Sequence, residues 1–144
     1  MSTLLATPSA GWSHLSFPNF DTPLSYIDDV ALLLLQDFIL VYLDKQVAAV
    51  TFDCEGYDTT LVLSNYDLYG IQTNTEPASF THILDDHVRE FLHQLVTNIE
   101  TDLGKWASFS VFETDEETYE KETAKNKTRL QALIKEIKEH PNYG

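Results

Sequence analysis

The sequence has a single cysteine, five widely scattered glycines and only nine lysines and arginines in 144 residues. Each scarcity excludes something. A lone Cys54 cannot close an internal disulfide, which fits a reducing compartment or indifference to redox state. Glycines this far apart leave no room for a Gly-rich phosphate loop, and no Gly-x-Ser-x-Gly elbow or zinc-ligand spacing occurs. The longest apolar run, Val30 to Leu35, falls far short of the ~20 residues that cross a bilayer. Met1 to Trp12 contains neither a cationic residue nor an apolar run, so it lacks both working parts of a signal peptide. The reading is a cytoplasmic protein. With so few cations it would be repelled by an anionic membrane or by nucleic acid.

What is present is an ordinary globular composition with an extraordinary charge. Hydrophobic residues make up 43% and aromatics 12%, enough to rule out a disordered chain. A chain of this length buries roughly 68–70% of its unfolded surface and folds without a disulfide or a structural metal. One domain over residues 1–144 is expected. The net charge is −14, whereas small domains are comfortable at a magnitude of roughly 2–8. Residues 1–120 carry 20 Asp and Glu against Lys45, Arg89 and Lys105 alone. Residues 121–144 carry six Lys and Arg against Glu122, Glu136 and Glu139. An acidic body bears a mildly basic tail.

Local patterns predict an α+β fold: a mainly antiparallel meander of about four to five strands packed with two to three helices, in the order α-ββββ-α-β-α. Residues 1–22 read as an irregular arm pinned by Trp12, Phe17 and Phe20. Thr22-Pro23 reads as a helix start, with helical spacing to about Gln36, although the leucine run also suits a buried strand. Strands are expected at 38–43, 47–52, 59–64 and 68–72, because β-branched and aromatic residues alternate there between short turns. A helix over 80–103 carries Leu84, Val88, Phe91, Leu95 and Ile99 on one stripe and ends at Gly104. Trp106 to Phe112 reads as a fifth strand, and 115–140 as a long helix.

No chemical constellation is convincing. His82, Asp86, Glu90 and His93 share a face if 80–103 is one helix, and Glu90 with His93 forms a Glu-x-x-His pair. A di-iron bundle needs two such pairs plus two further glutamates, and no second pair exists. The face is better read as the wet side of an amphipathic helix. Asp53, Glu55 and Asp58 surround Gly56, but counting from Asp53 puts Ser64 where a calcium loop requires its twelfth-position Glu. A reactive thiolate needs a cationic setting, and Cys54 stands between Asp53 and Glu55. Neither a catalytic set, nor a metal site, nor a cofactor loop is expected, and the chain reads as non-enzymatic.

The acidic excess is the remaining signal. It suggests a basic protein partner, either a toxin domain or a secreted client. The first reading is an immunity-type inhibitor whose carboxylates occupy the cationic groove of a toxin that acts on nucleic acid. The alternative is an acidic dimeric chaperone or adaptor that binds through an apolar groove or sheet edge rather than through charge, so monomer and homodimer both stay open. Two clusters exceed what helix capping needs, Asp85, Asp86 and Glu90, and Glu113, Asp115 and Glu116; the hairpin-tip trio Asp53, Glu55 and Asp58 ranks next, because loops on a rigid sheet are favoured binding positions.

Overall fold

The computed structural model describes residues 4–112 and 114–144. It is an α+β fold with an antiparallel meander, as the patterning implies. Strands β1 (Trp12–Phe17) and β2 (Phe20–Ser25) form a hairpin, followed by helix α1 over residues 30–43. The meander is β3 (Ala48–Asp53), β4 (Asp58–Ser64), β5 (Asp67–Thr73) and β6 (Ser79–Leu84), in spatial order β3-β4-β5-β6. Helices α2 (Val88–Thr101), α3 (Leu103–Ser108) and α4 (Glu116–Glu139) complete the chain.

The first departure from the sequence reading is the hairpin, which replaces most of the irregular arm. Ser13 and Leu15 on β1, with Thr22 and Leu24 on β2, turn inward and are buried, while Trp12, His14 and Ser16 face outward. Pro23 sits in β2 opposite His14, where a two-stranded ribbon can spare its missing N–H. Phe20 carries the hairpin onto the meander. Its ring lies so close to Gly70 that a Cβ there would come within 2.5 Å of it, so this strand position admits only glycine without a shift.

Helix α1 begins later than the Thr22-Pro23 pair suggests, at Val30, capped by the Asp29 carboxylate, which accepts the Leu32 N–H at 3.4 Å. Its centre, Leu33–Leu40, winds as a π-helix. Residues 38–43, expected as a strand, are therefore helical. A continuous apolar run buried on most sides has no periodicity to separate strand from helix. Leu34, Leu35, Phe38, Ile39 and Leu43 are all buried. The helix packs on β3 on one side and on α4 on the other, and Phe38 meets Phe91 of α2 edge to face at 6.2 Å.

Burial pushes the Asp29 carboxyl above its usual range, outweighing the Leu32 amide and Arg129, which pull it down. A raised carboxyl contributes stability that is fully present below its unfolded value and is lost as pH rises through the folded value. Asp29→Asn keeps the capping oxygen without the buried charge. The variant should therefore match the wild type near pH 3 and be the more stable of the two at pH 7, as read by urea midpoints at both pH values. A less stable variant at pH 7 would refute this account.

Strands β3 to β5 lie close to where alternation places them, with Ala48, Val50, Phe52, Thr59, Leu61, Leu63 and Leu68 turned to the core. The expected helix over 80–103 divides in two. Its first part is strand β6, and only Val88–Thr101 is helical, with Val88, Phe91, Leu95 and Ile99 buried as expected. Leu84 belongs to β6 and is half-buried. The expected fifth strand over 106–112 is replaced by the short helix α3, which buries Trp106 and Ala107. Gly104 lies inside α3 rather than ending α2. Helix α4 matches its expected span and buries Leu130, Ile134 and Ile137.

Both outer segments of the chain are fastened to α2. The Leu5 N–H donates to Asn98 Oδ1 at 3.0 Å, and Thr7 Oγ1 donates to Asp102, just past the helix end, at 2.8 Å. At the other end, Arg89 donates to the Gly144 carbonyl at 2.7 Å. His93 Nε2 lies 2.9 Å from the Tyr143 carbonyl, with the two rings 4.2 Å apart.

Candidate functional site

The three acidic clusters meet different fates. Asp53, Glu55 and Asp58 occupy the tip of the β3–β4 hairpin, where Glu55 and Gly56 both take positive φ. Asp53 Oδ1 accepts the Glu55 N–H at 2.8 Å, which holds the turn. The fold adds carboxylates from elsewhere. Asp28 accepts the Asp53 N–H at 2.7 Å, and Ser25 Oγ donates to Glu55 at 2.7 Å. Asn74 donates to Asp58 at 3.2 Å. Asp21 on β2 lies nearby: burial, then Cys54, then the Asp21 charge push the Tyr57 phenol above its usual value.

Burial, joined by the charges of Asp53 and Asp58, also holds Asp28 above the ordinary carboxylate range despite the Asp53 N–H it accepts. Among the described residues no Lys or Arg forms an ion pair with Asp21, Asp28, Asp53, Glu55 or Asp58, and only His14 meets Asp21.

Asp85 and Asp86 lie in the turn between β6 and α2, with Glu90 in the first turn of the helix. Asp86 accepts the His87 N–H at 2.8 Å, and the His87 ring lies 3.6 Å from Glu90 and 3.9 Å from Asp86. These carboxylates thus have a titratable neighbour. In the third cluster, Glu113 lies outside the described residues. Asp115 caps α4, and the Thr118 N–H it accepts at 2.7 Å holds its carboxyl below the usual range. Glu116 is exposed in the first helical turn, where it complements the helix dipole.

The shared face of His82, Asp86, Glu90 and His93 does not form. His82 sits on β6, 2.9 Å from Asp67 and stacked on Tyr69 at 4.9 Å, while His93 faces the Tyr143 carbonyl. Among the described residues no group of three or more His, Cys, Asp or Glu side chains is placed to hold a metal ion. Cys54 is buried beside Thr22, Thr59 and the Pro23 carbonyl, at 3.6, 3.4 and 3.4 Å, and packs as a structural thiol. Among the described residues no helix is long and apolar enough to cross a membrane.

Two surfaces escape the sequence reading. Among the described residues no helix packs on the face of the meander turned away from α1, and along its register run Ala49–Val62–Tyr69–His82 and Thr51–Thr60–Ile71–Phe80. A second surface is a cleft of about 580 Å³ between the end of α1, the β4–β5 turn and the start of α2. Lys45 and Arg89, two of the three cations of the acidic body, line it with the exposed Val47 and Tyr66. The outward apolar positions of β4 to β6 were visible in the alternation once β6 was assigned. The cleft, built from four distant segments, left no local signal.

Compared with protein-family models, with curated proteins and with solved structures, the chain matched none.

Proposed function

We propose that this protein binds and neutralises a basic protein, most simply as an immunity-type inhibitor of a toxin that acts on nucleic acid. The observation that carries the reading is the gathering of Asp28 with Asp53, Glu55 and Asp58 at the β3–β4 tip, without a Lys or Arg counter-ion among the described residues. Two chain segments contribute to it. An accumulation that costs stability through self-repulsion calls for a partner that relieves it. Carboxylates arranged this way compete for the cationic groove in which a toxin would hold phosphates, and they speed association by steering.

The test is to capture the partner from the source cell, then titrate it with wild type and with the Asp53→Lys, Glu55→Lys, Asp58→Lys triple variant at low and high salt. Asp53 and Glu55 are exposed and Asp58 is half-buried, and because Asp53 holds the turn, circular dichroism first checks that the variant is folded. Affinity should fall at least tenfold at low salt, and the gap should narrow as salt screens the charges. Equal binding by wild type and variant would sink the proposal.

One observation favours a second reading, an acidic chaperone or adaptor for a secreted or assembled client. The uncovered sheet face presents Val62, Tyr69, Ile71 and Phe80 to solvent, and apolar surface of that kind binds clients with little dependence on salt.

A further inference from the structure

The acidic body holds three cations, and two of them, Lys45 and Arg89, line the cleft of about 580 Å³ between the end of α1, the β4–β5 turn and the start of α2. Among the described residues neither forms an ion pair with a carboxylate, in a chain that has 23 Asp and Glu. The carboxylates beside them in sequence are turned to histidines. Asp44 Oδ1 lies 2.9 Å from His140 Nε2, and Glu90 lies 3.6 Å from the His87 ring. Among the described residues Asp86 is the one acidic member of the wall, and its Oδ1 already accepts the His87 N–H at 2.8 Å. Arg89 gives Nη1 to the Gly144 carbonyl at 2.7 Å, which engages only part of a guanidinium with five N–H donors.

Much of the remaining wall is aromatic or apolar. Tyr42, Tyr66 and Tyr143 contribute rings, and the buried Leu43, Val88 and Leu92 contribute aliphatic surface. The Tyr42 hydroxyl donates to the Asn65 carbonyl, next to Tyr66 in the β4–β5 turn. Burial, then Tyr66, push the Tyr42 phenol up while the Arg89 charge pulls it down, so both neighbours lie within electrostatic reach of its hydroxyl. The Tyr143 ring packs on His93 at 4.2 Å.

A concave site of roughly 300–1,000 Å³, largely apolar with a few convergent polar groups, suits a small molecule. Here the polar groups left without a counter-charge are cations, and the apolar ones include three tyrosine rings. We infer that this cleft binds a small aromatic monoanion, with its ring against the tyrosines and its charge on Lys45 and Arg89. An acidic polypeptide or a nucleic acid is the wrong occupant, because its many charges meet a body of net charge −14. A single charge inside the cleft meets the two cations first, and beyond roughly 8 Å at physiological salt the other charges are largely screened. The cleft also stands apart from the acidic tip. The β3–β4 tip and the β4–β5 turn close opposite ends of β4, a seven-residue strand, so about 20 Å separates them. Ligand binding here is a second activity, independent of the basic partner proposed for that tip.

The experiment titrates the full chain with two fluorescent probes, 8-anilinonaphthalene-1-sulfonate and N-phenyl-1-naphthylamine, which share a ring system and differ in the anionic group. Wild type should bind the sulfonate saturably at one site. Lys45→Gln and Arg89→Gln should each weaken the sulfonate about fivefold and change the neutral amine by less than about twofold. Tyr66→Ser, at a residue 72% exposed, should weaken both probes, because it removes ring contact and not charge. Lys45→Gln guards against a local defect in Arg89→Gln, which also gives up the bond to Gly144. Indole-3-acetate should displace the sulfonate at concentrations where acetate does not. The absence of saturable sulfonate binding, or sulfonate affinity unchanged in Lys45→Gln, overturns the inference. Equal displacement by acetate would remove the ring from the ligand and overturn it as well. So would loss of the sulfonate in Phe80→Ser, which would move the site to the open face of the meander.

Discussion

Replacing Phe91 with alanine is expected to destabilise the protein by about 3–5 kcal/mol, the range for a fully buried phenylalanine. Phe91 projects from α2 into the place where three elements meet. Its ring lies 5.6 Å from Phe17 of β1 and 6.2 Å from Phe38 of α1, and the residue is only 4% exposed. Truncation removes the transfer free energy of the ring and leaves a hole that two other aromatic rings cannot both collapse to fill. Equilibrium urea unfolding followed by circular dichroism measures the effect. A loss under about 1.5 kcal/mol would mean that the hairpin and α1 repack freely around the gap and that α2 is not the hub of the core.

Trp106→Ala should cost a similar ~3–5 kcal/mol. Trp106 lies on the six-residue helix α3, is 1% exposed, and has its ring 5.0 Å from that of Phe109. Helix α3 packs on α4, and the Asn126 side chain of α4 donates to the Ala107 carbonyl at 3.0 Å. So short a helix has little intrinsic stability, and its anchoring depends on what it buries. Trp106→Phe keeps most of the apolar volume. It also removes an indole N–H that finds no acceptor among the described residues, so it should lose less than half as much as alanine. If the phenylalanine variant proved as damaging as the alanine variant, the indole nitrogen would hold a bond that this packing does not show.

The contrast between α3 and the meander shows what the sequence could and could not reveal. Along β3, Ala-Ala-Val-Thr-Phe-Asp alternates buried and exposed without a fault, because one face meets the core and the other meets water. Helix α4 lies where the 115–140 reading placed it, with Leu130, Ile134 and Ile137 buried on one face. Trp106 to Phe112 holds three aromatic residues and a valine, which suit a strand, but burial of Trp106, Ala107 and Phe109 follows helical spacing instead. Residues 38–43 read as a strand and the leucine run before them suited either element, because apolar side chains fill the half-exposed positions as well as buried ones such as Leu34, Leu35, Phe38 and Ile39, and the sequence shows no period.

At the acidic end, the Asp53, Glu55 and Asp58 group was visible because its members are close in sequence. Asp28 was not, since only the folded chain brings it there.

The fastening of both outer segments to α2 has a kinetic side. The Leu5–Asn98 bond joins residues 93 apart and the Arg89–Gly144 bond residues 55 apart, so each closes a long loop. Loop entropy rises only slowly with length, but it must be met before any reward arrives, which places both closures late in folding. During synthesis, Asn98 emerges with its N-terminal partner already made, whereas His93 and Arg89 wait for Tyr143 and Gly144. Until those residues emerge, this flank of α2 lacks its partners and is open to wrong contacts.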